Sequence, residues 1–198
     1  MATVRMTAEA RREQLLDVLT DLIVAEGFGG VSIDRVAREA GIARTVVYSH
    51  FGDLDGMLEA LADRAEQRAL GQVRALVPEP PVDDDPDVVL VDALVALLTL
   101  VREDPRTWRI ILHPPEGAPA AQRTRIAAGR DAVIALLVPV IEWGVKKRGG
   151  PTDVDSELLA RSLVTLSEDA ARLSMRDPER YPPERIAGFA RQMLASLR

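Results

Sequence analysis

The sequence predicts an all-α chain, and three observations carry that prediction. Aromatic residues make up 4% of the 198 residues, so the core is built from Leu, Val, Ile and Ala. That mixture favours helix. Apolar residues recur at i, i+3 and i+4 along most of the chain. No stretch alternates β-branched and polar residues with period two, so no sheet is expected.

The elements follow in order. Thr7 can cap a first helix whose apolar positions Leu15, Val18, Leu19, Leu22 and Ile23 share a face. "GFGG", from Gly27 to Gly30, ends it. Ser32 is the next capping residue, and "IDRVAREA" gives about two turns with Ile33, Val36, Ala37 and Ala40 inward. Gly41 and Ile42 make a tight turn, where glycine accepts a positive φ without steric cost. "ARTVVYSHF" gives another two turns, with Val46, Val47 and Phe51 inward. Asp53 can cap a long helix from about Leu54 to Leu76. The proline-rich, acidic "VPEPPVDDDPD", Val77 to Asp87, reads as a loop. An apolar helix follows over about Val88 to Arg102, and "EDPRTW" starts a short one ending near "HPPEGAP". A long helix from about Ala120 to Lys147 is expected to kink where Pro139 removes a backbone donor. The last two helices span about Asp155 to Met175 and Pro183 to Leu197.

Composition excludes several classes of function. With no cysteine, neither a disulfide nor a thiolate metal site nor a cysteine nucleophile can form. The amino terminus lacks the apolar run of a signal peptide, and Val88 to Val101 is too short to span a bilayer. A cytoplasmic location is therefore expected. The two histidines, His50 and His113, are far apart, and Asp83, Asp84 and Asp85 form a solvated run rather than an acid/base pair. No phosphate-binding glycine loop, G-x-S-x-G or H-x-x-x-H motif is present. Neither an enzyme, nor a metal, nor a cofactor is expected.

Two short helices joined by a glycine turn, behind a longer helix, form the pattern of a helix-turn-helix. The second helix of such a pair needs an apolar inner face and a polar outer one. Val46 and Val47 supply the first; Arg44, Thr45, Tyr48 and His50 supply the second. Arginine can donate two hydrogen bonds to guanine, and threonine can reach a base or a thymine methyl. Tyrosine hydroxyl and histidine N–H suit phosphate oxygens. The amide groups at the starts of the helices after Ser32 and Asp53 offer further phosphate sites.

"SIDRVAREAGIARTVVYSHFGDLDGML", Ser32 to Leu58, resembles the DNA-binding domain of the TetR family of transcriptional repressors. Asp153 to Leu194 resembles, more weakly, that family's final two helices, which pair two subunits in a four-helix bundle. The resemblance implies phosphate contacts for Ser32, Tyr48 and His50, and places Arg44 and Thr45 at base edges. It also implies a repressor. Two positions depart from the pattern: Leu54 stands where many members carry a phosphate-binding Lys, and Ala43 where many carry a capping Ser or Thr.

Charge runs against this reading. The chain carries −6. Its first 52 residues hold six arginines against seven acids, so the head is nearly neutral. Placement offsets the sum: Arg5, Arg11 and Arg12 lie at the front of the first helix, and Arg44 opens the recognition helix. Modest non-specific affinity with a real salt dependence is expected.

The sequence therefore divides into a head over residues 1–52 and a body over 53–198 for ligand binding and dimerisation. Trp108, Arg109, His113, Glu142, Trp143 and Met175 are the candidate ligand contacts, because aromatics in an aliphatic domain suit a pocket with a few polar groups. The tryptophans could equally be core or interface anchors. Leu159, Leu163 and Leu166 in one helix, with Ile186, Phe189 and Met193 in the next, form stripes that a two-fold interface would cover. The expected function is a ligand-responsive regulator of a near-palindromic double-stranded DNA operator, released as a homodimer by a small apolar effector. The alternative is a helical adaptor with a vestigial helix-turn-helix.

Overall fold

The computed structural model describes residues 6–112 and 120–196, with side chains for all but residues 120–122 of these. Among the described residues the chain forms nine α-helices, a single 3-10 turn at Phe28–Gly30 and no strand. The helices are α1 Ala8–Glu26, α2 Ile33–Glu39, α3 Arg44–Phe51, α4 Leu54–Leu76, α5 Pro86–Glu103, α6 Pro105–Leu112, α7 Ala120–Lys147, α8 Ser156–Arg176 and α9 Pro183–Ser196. None is long and apolar enough to cross a membrane.

The caps fall where the side chains permit them. Thr7, Ser32, Asp53 and Asp155 each accept a hydrogen bond from an amide three residues on. One boundary differs from expectation: α5 begins at Pro86, inside the acidic run that reads as loop. Proline suits the first position of a helix, since its missing N–H would be unpaired there, and Asp85 caps the Asp87 amide. The long α7 runs from Ala120 to Lys147 with Pro139 inside it, on an exposed face. The end of α6 near "HPPEGAP" lies outside the described residues.

The first core joins α1, α2, α3 and α4 through Leu15, Leu19, Ile23, Val36, Val47, Met57 and Leu61. It extends past residue 52 into the first half of α4 and takes in Ile110 of α6. A second cluster gathers Ala69, Leu98, Val101, Trp108 and Ala171, and a third joins α7 to α8 through Ile134, Ile141, Ala160 and Val164.

Polar links reinforce the junction between the two parts. Arg64 of α4, its side chain 11% exposed, donates to Glu13, Asp17 and Thr20 of α1. Arg106 of α6 meets both carboxylate oxygens of Asp21 at 2.7 and 2.8 Å. Those hydrogen bonds, and then the charge of Asp21, raise the Arg106 pKa above the ordinary guanidinium value.

Candidate nucleic-acid interface and ligand cavity

In the helix-turn-helix, α2 and α3 are joined through Gly41, whose φ of +66° lets the chain turn within four residues. Val47 is fully buried beneath α3, while Val46 and Phe51 are half-buried. The inner lock is therefore mainly Val47. Pinning it leaves Arg44, Thr45 and Tyr48 exposed together, with His50 half-buried at the far end. Ala43 gives no side-chain cap; in the first turn of α3 the Val46 amide donates to the Ala43 carbonyl at 3.0 Å.

Arg44, Ser32 and Arg12 each have an intramolecular relation that DNA would have to share or replace. Arg44 lies 3.3 Å from Asp34 of α2, in a pair open to solvent on both sides. Ser32 accepts from the Arg35 amide, which leaves its own hydroxyl hydrogen to donate. Arg12 lies over the Phe51 ring and donates to the His50 carbonyl at 3.3 Å, so α1 braces the end of α3. Arg5 lies outside the described residues. At the start of α4, by contrast, Asp53 already occupies the Gly56 amide, and Asp55 adds a second negative charge. Both features oppose a phosphate at that helix start.

The body contains a cavity of about 460 Å³ among α4, α5, α6, α7 and α8. This is within the range of small-molecule sites. Of the expected ligand residues, Trp108 lines it. Its indole N–H donates to Gln72 at 2.9 Å, and Gln72 in turn donates to Asp104. Arg109 and Glu142 are exposed and do not line the cavity. Neighbouring residues on a helix point about 100° apart, so burying Trp108 turns Arg109 outward. Trp143 also lies off the cavity, beneath Lys147, whose ammonium donates to three successive carbonyls from Val82 to Asp84. Met175 packs against the cluster around Trp108 rather than into the cavity. His113 lies outside the described residues.

Sequence reasoning missed the cavity's polar end. Arg123, Arg125 and Arg130 of α7, Arg172 of α8, Glu66 of α4 and Glu168 of α8 all line it. Charged residues on long helices read as solvated faces until tertiary packing turns them toward one another.

The stripes assigned to subunit pairing divide between two environments. Leu159 and Leu163 pack into the α7–α8 cluster, and Ile186 packs near Trp108. Met193 is half-buried. Leu166 and Phe189 remain exposed, 56% and 63%, and Leu158 joins them at 61%.

Comparison with known proteins bears on the fold and the head. Residues 15–61 match the profile of the bacterial regulatory proteins of the tetR family. The nucleoid occlusion factor SlmA of Haemophilus influenzae is 26% identical over 166 residues, covering 83% of this chain and 75% of its own. A TetR-like transcriptional regulator from Rhodococcus superposes with a TM-score of 0.72 at 24% identity, covering 96% of this chain and 99% of its own. The regulator FadR of Bacillus subtilis, solved with stearoyl-CoA, superposes with a TM-score of 0.71 at 13% identity, covering 92% and 96%. These structural likenesses show the fold.

Proposed function

We propose that this chain, a member of the tetR family of bacterial regulatory proteins, is a homodimeric DNA-binding repressor that leaves its operator when a small, mainly apolar molecule fills the body cavity. One observation carries the reading: the cavity shares its walls with the DNA-contact head. α4 contributes Met57 and Leu61 to the head core and Ala65, Ala69 and Val73 to the cavity. α6 contributes Ile110 to both, and Trp108 to the cavity, while Arg106 ties its start to α1. A ligand that moves either helix moves the base on which α3 stands.

In this reading Arg44 and Thr45 face base edges, and Ser32, Tyr48 and His50 hold phosphates. Two copies joined through the faces bearing Leu166 and Phe189 would present two recognition helices about 34 to 36 Å apart, matching successive major grooves. The cavity favours this ligand-responsive reading over the function named for the SlmA relatives. It also gives the body a task that an adaptor with a vestigial head would lack.

The test is genome-wide recovery of bound DNA, followed by anisotropy titration of a recovered site with and without candidate effectors. Recovery of near-palindromic sites from which an effector releases the protein is expected. Uniform affinity for unrelated duplexes would refute the reading.

A further inference from the structure

We infer that the cavity is built for an amphiphile, with an apolar tail between α4, α5 and α7 and an anionic head group held by Arg130 and Arg172. This rests on the cavity being an effector site and specifies the effector's chemistry.

The charged lining residues gather at one end. On α7, Arg125 pairs with Asp63 and lies 3.8 Å from Glu66. Gly129 faces Glu66, where a Cβ would sit 3.9 Å from that side chain. Arg130 follows, with its Nη2 donating to Thr165 at 2.6 Å. Its Nε lies 3.1 Å from Glu168, but off the hydrogen-bonding direction, so this buried N–H has no acceptor among the described residues. Arg172 donates to the other oxygen of Glu168 at 3.1 Å and to the Leu112 carbonyl at 3.2 Å. Toward the carboxyl ends of α4 and α7 the wall is apolar: Val73, Leu76, Leu90, Leu94, Leu137 and Val140. From Glu66 to Leu76, α4 rises about 15 Å, enough to lay out an extended alkyl chain.

The pairing then selects the head group. Glu168 is divided between Arg130 and Arg172, and Arg172 also lies 3.7 Å from Asp169, which does not line the cavity. Guanidinium forks hold a planar carboxylate or a phosphate through paired hydrogen bonds. A ligand anion would supply the acceptor that the Arg130 Nε–H lacks, whereas a cationic head would be repelled by the two guanidiniums.

The experiment uses the full chain with Trp143→Phe, so that Trp108 in the cavity wall is the sole tryptophan. Its emission is titrated with dodecanoate, dodecyl phosphate, dodecanol and dodecyltrimethylammonium, all below micelle-forming concentrations. Both anions are expected to bind at least about tenfold more tightly than dodecanol, the scale of a charged hydrogen bond, with the cation weakest; the tighter anion identifies the head group. Arg130→Gln and Arg172→Gln should erase most of that preference. Glu168→Gln, which removes the competing carboxylate, should strengthen it, and keeps the test decisive if an arginine variant fails to fold. Equal affinity for dodecanol and dodecanoate, or weaker anion binding by Glu168→Gln, overturns the inference. Operator affinity is read in parallel. Dodecanoate that binds but leaves the operator complex intact would overturn the effector reading and keep the anion site. An uncharged compound that competes for the same cavity and releases the operator, where the anions do not, would overturn this inference and keep the effector reading.

Discussion

Arg44 shows how one residue's role depends on its neighbours. Its guanidinium faces Asp34 at 3.3 Å, but with both side chains exposed the pair contributes little to stability. The cost of releasing Arg44 to a base is correspondingly small. Arg44→Ala should relax preference at one base pair of each half-site, at about 1 to 3 kcal/mol. Tyr48→Phe should instead weaken all duplexes alike, by about 1 to 2 kcal/mol. Anisotropy against a panel of single-base operator variants separates the two. A uniform loss on Arg44→Ala would move that residue from base to phosphate. The outer face of α3 was legible in sequence because an eight-residue helix with one buried valine has few ways to orient. The cavity arginines were not. Nothing in the order of residues says that Arg130 on α7 and Arg172 on α8 meet over Glu168.

At the scale of elements, the turn from α3 into α4 tolerates little change. A Cβ on Gly56 would stand 2.3 Å from the Phe51 carbonyl oxygen, a backbone atom that cannot swing away. Gly56→Ala should cost about 1 to 3 kcal/mol despite the better helix propensity of alanine, seen as a lowered midpoint in urea. A variant as stable as the parent would show that the turn yields. Helix positions were readable throughout, because apolar spacing and capping residues are local signals. The start of α5 escaped because a proline there serves the helix while the surrounding composition reads as loop. On α8 and α9 the periodicity identified apolar stripes but not which side of them faced inward. Leu159 and Leu163 serve the chain's own core, leaving Leu158, Leu166 and Phe189 uncovered. Leu166→Arg should therefore give monomers by sedimentation with folding intact, and weaken operator binding greatly. A wild-type monomer at micromolar concentration would remove the two-fold assembly.

For the molecule as a whole, the question is how the cavity and the DNA-contact face inform one another. Linkage requires that if ligand weakens operator binding, operator weakens ligand binding by the same factor. The links are α4, which lines both the head core and the cavity, and α6, fastened by Arg106 to Asp21. Arg106→Ala removes an exposed pair remote from both ligands, so each should still bind alone. The coupling between them should shrink, measured as the ratio of operator affinities with and without effector. An unchanged ratio would place the coupling in α4 alone. The near-neutral head also bears on this scale. With no bulk attraction to DNA, a small loss of fit between two heads and two grooves has no electrostatic reserve to absorb it.

The alanines at 62, 65 and 69 on the α4 wall keep the body hollow. Unfilled apolar space forfeits contacts that would hold a protein together, so the empty form carries a standing deficit in its resistance to unfolding. An occupant at a hundred times its dissociation constant restores about 2.7 kcal/mol. In a cell where proteases sample the unfolded fraction, that difference sets how long each copy survives. On the proposed function, an effector would thus govern the number of regulators as well as their occupancy of DNA: cells lacking it would hold fewer copies, each competent to bind, and cells rich in it would hold more, disengaged. Pulse-chase half-lives with and without effector should differ several-fold. Ala69→Leu, which fills the space permanently, should lengthen the half-life and abolish its dependence on effector; equal half-lives in the parent would show that occupancy alone is regulated.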